Sequence, residues 1–334
     1  MFAVFAASCK PISDVAIRPA TTADAAEDDG VSEENGEPAD ANLMQNEPAD
    51  NGDDMFSGLY GEPASSAPGT ISAPYGALYN ISGNAFIYGK GVDERVYPSG
   101  AVKLLTALTV CDTVRPDFVF TVGGEIDMIK KGSGVAGLKE GQRIGMEAAL
   151  TALLIPVGND AAYTVAVGAA RADSGNDNGL DKELLDYFIR LMNDYAKKIG
   201  CLESNFTNPD GYHAADNYTT VRDLTILSAA AASNAIISGI CARPEPEAVY
   251  ESGEIASWTN SNALLNLEGW DIRGLKTGYT DESGYSAQIL AYIDGSGYIA
   301  VVSGCETAEE RERDIIKLLK LAIDGYGEDV IDVY

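Results

Sequence analysis

Two short runs of this 334-residue chain place reactive side chains at spacings that could do chemistry. In Tyr97-Pro98-Ser99-Gly100-Ala101-Val102-Lys103, a hydroxyl and an amine lie four residues apart at a helix start, a spacing that shares one helix face. An amine so placed can draw the proton from a hydroxyl and make it a nucleophile. In Gly274-Leu275-Lys276-Thr277-Gly278-Tyr279, a strand carries a cation beside a hydroxyl, a natural receptor for a carboxylate. His213 is the single histidine, which disfavours a Ser-His-Asp triad. With no Cys-x-x-Cys pair either, a zinc site is not expected, and no cofactor is implied.

These runs need elements to hold them. Residues 75–89 read as two strands around a Ser-Gly-Asn turn. Leu and Ala at helical spacing from Ala101 to Val110 mark a helix entered through Pro98-Ser99, with Lys103 one turn inside. Helical patterns continue at 145–156, 160–171, 180–199 and 219–234, and the period then switches to two over 270–277, 283–294 and 297–304. Tyr285, Ile289, Ala291, Tyr298, Ala300 and Val302 carry that alternation. A closing helix over Ala308–Asp324 has a capping box in Thr307 and Glu310. Two strands, a helical middle, three strands and a last helix make one α+β domain: an antiparallel five-stranded sheet flanked by helices, plus a helical subdomain.

Composition divides the chain. The first 65 residues hold fourteen acidic side chains against Lys10 and Arg18, a local charge of −12 that leaves −16 of the total −28 for the rest. With few aromatic residues and a repeated Glu-Pro-Ala-Asp, residues 10–68 cannot bury enough apolar area to offset chain entropy and read as a disordered spacer. The domain is expected over 69–334. The negative sign of both parts excludes nucleic acid as a partner. Residues 1–9, ending Ala6-Ala7-Ser8-Cys9, resemble the end of a truncated bacterial lipoprotein signal with Cys9 as lipid anchor, though Ala6 stands where leucine is usual. Cys111, Cys201, Cys241 and Cys305 are expected as buried free thiols.

Five segments, in order, carry a family resemblance: Arg95–Leu108; Gly137–Gly141 with the helical run to Ile155; Pro156–Ala162; Asn205–Gly211 with Tyr218–Leu224; and Gly274–Thr280 with Ser283-Gly284-Tyr285. Over about residues 73–325 the chain resembles the serine-type D-alanyl-D-alanine carboxypeptidases, the low-molecular-weight penicillin-binding proteins. The resemblance implies a β-lactamase/transpeptidase-like fold and an extracytoplasmic place at the cell wall. It implies a peptidoglycan stem peptide ending in D-Ala-D-Ala, or a β-lactam, as ligand, with membrane contact only through the N-terminal lipid. The family's serine, deprotonated by a lysine one turn on, attacks the terminal peptide bond and forms an acyl-enzyme that water hydrolyses.

Carried over by resemblance, Lys103 fills the general-base position and Asn159 the second-block asparagine. Lys276, Thr277 and Gly278 form the third block, holding the substrate carboxylate, and Tyr279 offers an oxyanion amide through its backbone. Two hydroxyls depart from the pattern: Gly100 stands at the nucleophile position and Val157 at the second-block serine. Asn217 sits where many relatives have histidine, with His213 four residues earlier. Blander readings stand beside these. Lys103 can pair with a carboxylate or with Asn159, Ser99 can serve as a helix cap, and Asp160 can cap or crosslink helices. Glu203 invites comparison with the deacylating acid of class A β-lactamases, but its surroundings resemble the carboxypeptidase middle block. The leading expectation is a catalytically impaired binder, a pseudoenzyme that takes stem peptides or a wall-enzyme partner. The alternative is an active carboxypeptidase using Ser99, or a rearranged site, as substitute nucleophile.

Overall fold

The computed structural model describes residues 56–324. The signal-like segment with Cys9 and the spacer as far as residue 55 lie outside the described residues.

After a 3-10 turn (Ser57–Leu59) the chain forms the hairpin β1 (Tyr75–Asn80) and β2 (Ala85–Lys90). It passes through the short β3 (Arg95–Val96) and a second 3-10 turn (Ser99–Ala101) into α1 (Val102–Thr113). β4 (Val119–Thr121) pairs with β5 (Arg143–Gly145) ahead of α2 (Met146–Leu154), α3 (Asn159–Ser174) and α4 (Asp181–Lys198). β6 (Thr219–Thr220) pairs with β3 and leads into α5 (Val221–Ser233) and α6 (Ala235–Cys241). A small hairpin, β7 (Glu247–Val249) and β8 (Ile255–Ser257), precedes the long strands β9 (Asp271–Thr280), β10 (Gly284–Ile293) and β11 (Ser296–Cys305) and the closing α7 (Ala308–Asp324).

The main sheet has the order β2-β1-β11-β10-β9, antiparallel throughout, so the N-terminal hairpin docks on the last strand and β9 is left as an edge. Period two explains why helices cover both faces: successive side chains of a strand point to opposite sides. On one face Tyr79, Leu275, Leu290, Ile299 and Val301 join the core of α1 and α5; on the other, Leu78, Ile289, Ala291, Ala300 and Val302 meet α7. The alternation visible in the sequence marks the α7 face. Ile315, Leu318 and Leu319 of α7 are fully buried there, each contributing roughly 1.5–3 kcal/mol.

Thr307 Oγ1 accepts the Glu310 amide at 3.0 Å, while Glu310 Oε2 accepts the Glu306 amide at 2.8 Å. The capping box forms with its return bond one residue earlier than the motif predicts. Buried Asp314 accepts the Ala73 amide at 2.7 Å, tying α7 to the entry of β1.

The spacer expectation needs one correction. Residues 56–68 pack on the domain: Phe56 and Leu59 are buried, Ala64 and Ser65 donate to the carbonyls of Phe86 and Ile87, and Arg222 donates to the carbonyls of Leu59 and Gly61. Two apolar anchors and a strand-like ladder suffice to order a segment whose average composition reads as disordered. Cys111 is half-buried, Cys201, Cys241 and Cys305 are buried, and all four are free. Among the described residues no single helix is long and apolar enough to cross a membrane.

Candidate active site

The edge of β9, the start of α1 and the loop 205–218 enclose a cleft of about 870 Å³. It brings together Ser99, Gly100, Lys103, Val157, Asn159 and the run Lys276–Tyr279 in the lining of one cavity.

Lys103 is 2% exposed on the inward face of α1. Its ammonium donates to Asn159 Oδ1 at 2.7 Å and to the Asp210 carbonyl. Burial lowers its pKa to about 8, against the opposing pull of the Asp210 and Asp160 charges. Asn159 is the first residue of α3, and the next residue fixes that helix end. Asp160 Oδ1 accepts the amides of Ala136 and Ala161, and Oδ2 those of Gly137 and Leu138, at 2.7–2.9 Å. Asp160 therefore crosslinks the loop before β5 to α3, and this fixes the partner of Lys103.

Ser99 and Gly100 lie against the sheet edge. A Cβ built on Gly100 would stand 2.8 Å from the Thr277 carbonyl oxygen and 3.3 Å from the Gly278 Cα, so the strand occupies the space a side chain would need. The neighbouring Ser99 has φ +49°, a left-handed conformation that costs a non-glycine residue about 1–3 kcal/mol. Its carbonyl packs on Gly211, which at φ +78° has no side chain to obstruct it. The Ser99 hydroxyl rests against Gly278. The cap positions fall on Pro98 and Ala101, and among the described residues Ser99 makes no cap hydrogen bond, which corrects the reading of it as a cap. Among the described residues it makes no hydrogen bond to Lys103.

On β9, Lys276 is 4% exposed and its pKa is lowered to about 8, first by burial and then by the Lys103 charge. Its ammonium has no hydrogen-bond partner among the described residues. Thr277 Oγ1 shares a 2.7 Å hydrogen bond with Ser261 Oγ. Arg311 of α7, 8% exposed and bonded to Glu312 at 3.1 Å, reaches the same cavity. Two buried cations beside hydroxyls give this end of the cleft the charge and the donors that a carboxylate would need.

Other expected residues sit differently. Val157 is 55% exposed at the rim, packed on Gly134, and offers no hydroxyl there. Tyr279 is 52% exposed, with its ring against Tyr285 at 4.4 Å and its hydroxyl donating to Asp281 at 2.7 Å. Asn217 is buried outside the cavity lining, whereas His213 lines it. Glu203 is exposed and outside the cleft. Sequence reasoning missed Arg311, Asp210 and Ser261. Arg311 lies in a Glu-Glu-Arg-Glu-Arg run that reads as a solvated helix face, and only its place opposite Lys276 reveals it. No group of His, Cys, Asp and Glu among the described residues could hold a metal ion.

The D-alanyl-D-alanine carboxypeptidase family model matches residues 62–307. The chain is 28% identical over 274 residues to the D-alanyl-D-alanine carboxypeptidase DacD of Escherichia coli, covering 77% of this chain and 65% of that protein. It is 27% identical over 259 residues to a D-alanyl-D-alanine carboxypeptidase of a Streptomyces species, covering 75% and 87%. It thus spans just under two thirds of DacD. Among solved structures, the Streptomyces K15 DD-transpeptidase matches with a TM-score of 0.69 at 26% identity, over 78% of this chain and all of that one. The ampicillin-bound penicillin-binding protein D2 of Listeria monocytogenes shares the fold, with a TM-score of 0.61 at 24% identity over 76% and 98%.

Proposed function

Because the chain belongs to the D-alanyl-D-alanine carboxypeptidase family, we propose that it is a cell-wall protein that binds D-alanyl-terminated stem peptides while its acyl-transfer chemistry is impaired. One observation carries this reading: at Gly100, the position that resemblance gives to the nucleophile, the Thr277 carbonyl takes the space of a side chain. Val157 supports it, since a valine at the rim cannot relay a proton to a leaving amine.

The binding half rests on what is kept. Lys276 and Arg311 present two cations to a peptide carboxylate, and the Thr277–Ser261 hydroxyl pair lies beside them. Lys103, held by Asn159 and the Asp210 carbonyl, keeps positive charge near the scissile region without a hydroxyl to deprotonate. Ser99 is a poor substitute nucleophile, because its hydroxyl faces Gly278 and Lys103 is engaged elsewhere. An extracytoplasmic location goes with this ligand, and Cys9 is proposed as its lipid anchor; labelled fatty acid should enter the protein and fail to enter a Cys9→Ser variant.

Calorimetric titration with an N-acylated D-Ala-D-Ala peptide tests the function. Saturable binding, lost in Lys276→Ala and without release of free D-alanine, is expected. Release of D-alanine, or no binding by the unmodified protein, would count against it.

A further inference from the structure

We propose that His213 and Glu282 form a proton-operated clasp across the mouth of the cleft, closed when the imidazole is protonated and open when it is neutral. His213 belongs to the loop 205–218 on the helical side, and Glu282 to the turn between β9 and β10 on the sheet side. Both line the cavity, so a bond between them joins its two walls.

The pair is poised but not engaged. His213 Nδ1 lies 3.9 Å from Glu282 Oε2, too far for a hydrogen bond, and this buried nitrogen has no other partner among the described residues. The imidazole is held in place from the side: the Tyr97 ring meets it edge-on at 4.6 Å and 85°. Its orientation toward Glu282 is therefore fixed by packing rather than by the carboxylate.

Of the other charged groups lining the cleft, Asp281 accepts the Tyr279 hydroxyl, Arg311 is bonded to Glu312 and Lys103 to Asn159, while Asp210 Oδ1 accepts the Tyr212 amide and its Oδ2, like the Lys276 ammonium, has no partner among the described residues. Glu282 is the carboxylate that comes within 4.0 Å of the imidazole. With the side chains 27% and 45% exposed, the protonated pair would be a partly screened ion pair of modest strength. A histidine is the side chain that changes charge between about pH 5 and 8. Acid would thus draw the walls together, and a ligand that spreads them must displace the bond.

The ligand part of this inference rests on the peptide-binding reading; the clasp itself does not. Because His213 is the single histidine of the chain, its ring signals can be followed by NMR without ambiguity. In the ligand-free protein its nuclear Overhauser contacts to the Glu282 side chain should strengthen from pH 7.5 to pH 5.5, as the ring closes on the carboxylate. Affinity for the N-acylated D-Ala-D-Ala peptide should weaken roughly 1.5- to 5-fold from pH 7.5 to 5.5, and that loss should vanish in both His213→Gln and Glu282→Gln. Ring contacts that stay the same between pH 7.5 and pH 5.5 would overturn the clasp, as would an acid loss of affinity that survives His213→Gln. Ring contacts that strengthen in acid with no peptide binding at any pH would support the clasp and overturn the binding reading.

Discussion

Replacing Gly100 with serine puts a hydroxyl at the position that resemblance gives to the nucleophile, and the structure indicates that the change will be costly. The glycine does not need a left-handed backbone, since it is absent from the residues with positive φ. On conformational entropy alone, a Gly→Ser change at the entrance to α1 would be neutral or stabilising by about 0.4–1 kcal/mol. The contact reverses that sign. A Cβ at 2.8 Å from the Thr277 carbonyl is closer than such atoms approach, and the obstacle is strand backbone, not a movable side chain. Relief requires β9 to shift away from the 3-10 turn, a small-to-large change costing about 1–3 kcal/mol. For a domain of this size that lowers Tm by about 2–4 °C per kcal/mol, so Gly100→Ser should melt roughly 2–12 °C below the unmodified protein by calorimetry. Gly100→Ala should fall by a similar amount, since the clash belongs to Cβ and not to the hydroxyl. Labelling with a fluorescent penicillin should remain slow even in Gly100→Ser/Val157→Ser. A Gly100→Ser protein that is as stable as its parent and labels rapidly would refute the steric argument.

Three further outcomes follow from the same geometry. Carboxylate binding by Lys276 requires its protonated form, so with a pKa of about 8 in the free protein, affinity should fall above pH 8, by up to about tenfold per unit; a fall beginning only near pH 10 would contradict this. Because the Lys103 charge helps to depress Lys276, a Lys103→Met variant should move that fall to higher pH, whereas an unchanged profile would mean that the two cations do not interact. Asp160→Ala leaves the amides of Ala136, Gly137 and Leu138 without their acceptor and should cost about 2–5 kcal/mol, read as a lowered urea midpoint; a change within about 0.5 kcal/mol would show that water replaces the carboxylate.

Much of the frame is legible in the chain, because periodicity reports burial. Ile289, Ala291, Ala300 and Val302 alternate along two strands, and the faces they mark are those that meet α7. Thr307 and Glu310 announce the helix start, and the Lys103–Asn159 pairing stands among the alternatives that residue type and order suggest. What pattern does not carry is proximity between distant segments. The approach of Gly100 to Thr277 depends on how the 3-10 turn meets a strand more than 170 residues later, and nothing local to either run specifies it. The strained Ser99 backbone, the turn of its hydroxyl toward Gly278 and the arrival of Arg311 in the cavity that Lys276 lines are of the same kind. Order at Phe56 and Leu59 escapes a compositional reading because two side chains outweigh the average of the segment around them.

The central claim is that this cleft keeps its ligand contacts and has lost covalent acyl transfer. Intact-mass spectrometry of the unmodified protein after prolonged incubation with benzylpenicillin tests it most directly. An unchanged mass is predicted; a stoichiometric gain equal to the mass of the drug, abolished by Ser99→Ala, would contradict it.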